Sequence, residues 1–108
     1  MTTKQSGTYF PAGVVEEFLP RIGRVVEIKD HQLAVFLASD GTIFAADNHT
    51  PHPKGGPLAE GIVSGHYLYD PLYDWKIDLT TGLVQAPDNG QVQMYPVKVE
   101  NGQVWIEI

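Results

Sequence analysis

From Arg24 onward the chain is cut by turn residues into short β-prone runs, and a chain interrupted this often has no room for long helices. The runs fall at 24–28, 32–37 and 42–46, separated by Lys29-Asp30-His31 and Ser39-Asp40-Gly41. Their regular spacing predicts an all-β fold, an antiparallel sandwich or small barrel. The sharpest local signal is Asn101-Gly102 between runs 96–100 and 103–108. Asn-Gly between alternating strands predicts a type I′ hairpin, because both central residues must adopt positive φ. Alternation then puts Val104, Ile106 and Ile108 on one face and Trp105 on the other, either as a partly exposed ring or as a contact for something outside the sheet.

The remaining segments are less regular. Residues 14–20 predict a helical turn or two stopped by Pro20. Between His49 and Pro57, three prolines and two glycines without an apolar run predict a loop, and runs 62–69 and 75–79 predict strands around a second loop. The 108 residues predict one domain spanning 1–108. With 13 acidic and 7 basic residues the net charge is −6, which argues against nucleic acid and anionic membrane as partners. No apolar run approaches the roughly 20 residues that span a bilayer, the N-terminus lacks a secretory core, and the absence of cysteine suits a reducing compartment, so a cytoplasmic location is expected.

Two Pro-containing loops, Thr50-Pro51-His52 and Asp70-Pro71-Leu72-Tyr73, lie with seventeen residues between His52 and Asp70. Around them stand Asn48, Gly55-Gly56-Pro57-Leu58, Gly61, Pro71-Leu72, Asp74-Trp75-Lys76-Ile77-Asp78-Leu79 and Thr81-Gly82. On these residues the chain resembles the Rieske-type small subunits of NAD(P)H-dependent assimilatory nitrite reductase. The resemblance implies a Rieske-like fold whose loops, within residues 47–82, would carry Cys-x-His and Cys-x-x-His. Of those four ligand positions, Thr50, His52, Asp70 and Tyr73 here, only His52 holds a ligand residue. A Rieske [2Fe–2S] centre needs two thiolates and two imidazoles. A hydroxyl, a carboxylate and a phenol do not replace soft sulfur. The resemblance therefore implies a degenerate site without a cluster, no catalytic or metal-binding residues, and docking on a large subunit that carries FAD, a [4Fe–4S] cluster and sirohaem and reduces nitrite to ammonium.

Other readings of the same residues stay open. His49, His52, His66 and Asp70 offer donors suited to zinc or non-haem iron, which would make the chain a stand-alone metal-binding or ferredoxin-like protein. The plainer expectation is that His52 hydrogen-bonds within its own loop while His31, His49 and His66 are solvated. Tyr67, Tyr69, Tyr73 and Trp75 are either interface anchors or filling for the core. Asp78 is expected to cap the Thr80-Thr81-Gly82 turn rather than to act as an acid or base. A third possibility is an interaction module of another Rieske-type oxygenase or reductase.

Overall fold

The structure, a computed structural model, describes residues 8–50, 56–70 and 73–108. Among these residues eleven strands form three antiparallel sheets. Strands β1 (Tyr9–Val14), β11 (Gln103–Glu107) and β10 (Val97–Glu100) make the first, in that order. The second runs β2 (Arg24–Ile28), β3 (His31–Leu37), β4 (Ile43–Asp47) and β9 (Met94–Tyr95). The third runs β5 (Ile62–Ser64), β6 (Tyr67–Tyr69), β7 (Lys76–Asp78) and β8 (Leu83–Val84). Two single 3-10 turns, Val15–Glu17 and Leu58–Glu60, complete it, and no helix among the described residues is long and apolar enough to cross a membrane.

The second sheet is covered on both faces, and β3 carries the reason in its sequence. Leu33 and Val35 point to one side, where they pack with Ile43, Ala45, Val104, Ile106 and Phe18. Ala34 and Phe36 point to the other, against Leu58, Val63, Leu68, Ile77 and Leu79. A strand buried on both faces reads as a continuous apolar run instead of alternating. The second of these cores fastens the β5–β8 sheet and the Leu58–Glu60 turn onto the rest of the molecule. Gly23 lets that attachment close: a Cβ there would lie 2.3 Å from the Ala59 carbonyl oxygen and 2.6 Å from the Phe36 ring.

The expected C-terminal hairpin is present, with Glu100 opposite Gln103 and both turn residues at positive φ, Asn101 at 54° and Gly102 at 76°. Val104 and Ile106 are buried, and Trp105 on the opposite face is half-buried. Run 62–69 is not one strand but a hairpin, since Gly65 at φ 62° turns the chain and pairs Ser64 with Tyr67. Strand β1 arises where no strand was expected. Its Pro11 is tolerated at a sheet edge, and a bulge between Pro11 and Gly13 absorbs the irregularity.

Candidate functional site

The two loops start from fixed points. Asn48 closes the end of β4: its N–H donates to the Gln32 carbonyl at 3.0 Å, and its Nδ2 to Gln32 Oε1 at 2.9 Å. Its Oδ1 accepts the Ala59 N–H at 2.7 Å, which ties the start of the first loop to the turn that follows it. The Thr50 N–H donates across that loop to the Gly56 carbonyl at 3.0 Å. In the second loop the Asp70 N–H donates to the Trp75 carbonyl and the Asp74 N–H to the Asp70 carbonyl, both at 2.9 Å. Asp74 takes φ 57°, a left-handed conformation that Asp tolerates better than most residues.

The loops meet at Thr50 and Asp70, which are 3 % and 6 % exposed. Thr50 Oγ1 donates to Asp70 Oδ2 at 3.2 Å. Polar groups buried this deeply are stable only with partners. Thr50→Val, which removes one donor from a buried carboxylate while keeping the shape, should lower stability by about 1–3 kcal/mol. Thermal unfolding followed by circular dichroism checks it, and an unchanged midpoint would contradict the pairing.

Of the other residues singled out in the sequence, His52 lies outside the described residues, as do Pro51, Gly55, Pro71 and Leu72. His49 and His31 are exposed, whereas Tyr73 and Trp75 are half-buried, the Trp75 ring packing on the core beneath the loops. On β6 the buried side chain is Leu68, so Tyr67 and Tyr69 stand on the opposite, outer face, with Lys76 Nζ 4.2 Å from the Tyr67 ring centre. Asp78 caps its turn, its Oδ1 accepting the Thr80 N–H at 2.9 Å and hydroxyl at 2.6 Å. These bonds hold its carboxyl below the usual range, the hydroxyl most strongly.

His66 is not simply solvated. Its ring packs edge-on against Phe44 with 5.2 Å between centres, and its Nε2 lies 2.8 Å from Asp40 Oδ2. Twenty-six residues separate the pair, and no sequence spacing announces it. The Thr42 N–H, and after it His66, hold the Asp40 carboxyl down at about 2. A carboxylate with a depressed native pKa contributes stability above its unfolded value, near 3.9, and loses that contribution as pH falls through the native value. An NMR titration of the Asp40 carboxyl should therefore show a midpoint near 2, moved upward in a His66→Ala variant. A midpoint near 4 in the native chain would contradict this arrangement.

A family model for the Rieske-like [2Fe-2S] domain matches residues 8–107. The chain belongs to this family. The ferredoxin component of the naphthalene 1,2-dioxygenase system of Pseudomonas putida is 31% identical over 84 residues, covering 77% of this chain and 79% of that protein. The NAD(P)H nitrite reductase large subunit of Klebsiella oxytoca is 34% identical over 83 residues, covering 71% of this chain but 8% of that protein. A solved structure assigned as an NADH-dependent nitrite reductase small subunit of Mycobacterium tuberculosis superposes with a TM-score of 0.85. It covers 94% of this chain and 96% of its own at 23% identity, a likeness that shows the fold.

The residues of this Rieske-like chain do not fit the group after which its family is named. A Rieske cluster takes two thiolates on one iron and two imidazoles on the other, and the chain contains no cysteine. Thr50 and Asp70, the positions expected to correspond to the two thiolates, are hydrogen-bonded to each other. Among the described residues no three His, Asp or Glu side chains converge so as to hold a metal ion.

Proposed function

We propose that this chain is a cofactor-free accessory subunit of an NAD(P)H nitrite reductase, working in the cytoplasm by docking on the large catalytic subunit and stabilising it. In this reading Thr50, His52, Asp70 and Tyr73 stand at former ligand positions, residues 1–108 form one Rieske-like domain, and the chain has no active site of its own. FAD, the [4Fe–4S] cluster, sirohaem and the reduction of nitrite to ammonium belong to the large subunit. The observation that carries the reading is the buried bond from Thr50 to Asp70. It joins the described starts of the two loops directly, which supports a surface that needs no metal to bring them together. Adding the purified chain to the large subunit should raise nitrite-dependent NAD(P)H oxidation or its half-life without adding cluster absorbance. No effect on either would contradict the reading.

A second reading has the dioxygenase ferredoxin relative in its favour: the chain is an interaction module of another Rieske-type oxygenase or reductase, or a stand-alone metal-binding or ferredoxin-like protein. One ordered metal per chain, in protein purified without a metal-affinity tag, would favour the stand-alone form. The identity of a co-purifying partner separates the module from the nitrite reductase subunit.

A further inference from the structure

The surface between β1 and β2 departs from the character of the chain. The protein is acidic, with 13 acidic against 7 basic residues, yet both of its arginines, Arg21 and Arg24, lie in this one short segment. Among the described residues neither guanidinium comes within 4.0 Å of a carboxylate; the ion pairs there are His66 with Asp40 and Lys98 with Glu100. Each is held instead by one N–H on a main-chain carbonyl. Arg21 Nε donates to Val63 O at 3.2 Å, and Arg24 Nη1 donates to Glu17 O at 3.1 Å. Arg24 also lies 5.4 Å from the centre of the buried Phe18 ring. A planar fork oriented in this way loses less freedom on meeting a carboxylate than a loose side chain does.

The main chain reinforces the placement of Arg21. Its φ of 73° is a left-handed conformation uncommon for a residue of this type. It is pinned from both sides, the N–H donating to Leu37 O and the carbonyl accepting the Val63 N–H, both at 3.0 Å. Arg21 lines a pocket of about 230 Å³ with Ser39, Val63, Ser64 and Gly65. Three exposed aliphatic side chains flank Arg21 in sequence and across the bridge: Leu19 at 60 %, Ile22 at 54 % and Ile62 at 48 % exposure, with Ile22 and Ile62 paired.

We propose that this edge is a docking surface for a protein partner that presents a carboxylate within an apolar patch. The partner's Asp or Glu side chain enters the Arg21 pocket, and its apolar side chains cover Leu19, Ile22 and Ile62. Charge complementarity selects that occupant: an acidic chain has gathered its arginines where none of its own carboxylates answers them. An arginine with exposed aliphatic neighbours also matches the composition of energetic centres at interfaces, from which lysine is depleted. Asp40, next to Ser39 in sequence, does not compete for Arg21, since its carboxylate is engaged by the Thr42 N–H and His66. Naming the partner as the nitrite reductase large subunit rests on the accessory-subunit reading above.

The test is the dissociation constant between the full chain and that large subunit at low and high salt. Arg21→Glu should weaken binding about tenfold or more and flatten its salt dependence, because it places like charges in contact. Ile22→Ser should weaken it severalfold, while Lys98→Glu, on β10, should leave it unchanged. Thermal unfolding of each variant alone separates lost docking from lost folding, and Arg21→Gln supplies a milder change at the same site. Binding of folded Arg21→Glu and Ile22→Ser as tight as that of the native chain would overturn the docking surface and leave the accessory-subunit reading standing. A native chain that does not bind the large subunit would overturn that reading, and this assignment with it.

Discussion

A Thr50→Cys, Asp70→Cys, Tyr73→His triple variant should take up a [2Fe–2S] cluster on reconstitution, where the native chain takes up none. Two sulfurs at about 2.3 Å from a tetrahedral metal lie roughly 3.8 Å apart. The oxygens of Thr50 and Asp70 are 3.2 Å apart, so the two side chains point at each other, and a sulfur at position 70 would stand one bond short of that carboxylate oxygen. The backbone that aims them is set by bonds the substitutions leave in place, the Thr50 N–H on Gly56 and the Asp70 N–H on Trp75. His52 and the new histidine would complete the two-thiolate, two-imidazole set. Visible absorbance and a reduced-state electron paramagnetic resonance signal read the result. A folded triple variant that binds no iron would show that these loops do not correspond to a Rieske ligand frame.

Phe36→Ala should cost about 3–5 kcal/mol, a large part of the roughly 5–15 kcal/mol that holds a domain folded. Phe36 is fully buried at the junction of the central sheet with the β5–β8 sheet, against the backbone of Gly23. Tyr67→Ala, on the outer face of the same small sheet, removes a half-exposed ring and its contact with Lys76 and should cost about 1 kcal/mol or less. Urea denaturation of the two variants compares them directly. Equal losses would mean that the β5–β8 sheet is not anchored through Phe36.

Sequence disclosed those elements whose signal is local. Asn101-Gly102 specified its hairpin because both residues need positive φ, and Asp78 specified its turn because the donors lie two residues away. The β5–β6 hairpin was hidden by a single glycine in an otherwise β-prone run. Strand β1 was hidden by Pro11 and Gly13, which are compatible with a strand only at an edge with a bulge. At the candidate site, Thr50 and Asp70 were selected by resemblance alone, since nothing in the spacing of a hydroxyl and a carboxylate twenty residues apart requires them to meet. Asp40 with His66, and Arg21 with Val63, depend on how the small sheet sits on the large one and leave no mark in the sequence.

The central claim is that this chain works through a partner, not through a cofactor of its own, and an affinity pull-down of the chain from nitrate-grown cells of its source tests it most directly. Co-elution of a large sirohaem flavoprotein, with nitrite-dependent NAD(P)H oxidation in the eluate, is the result expected. A chain that elutes alone, or with an unrelated oxygenase, would contradict the assignment to nitrite reductase.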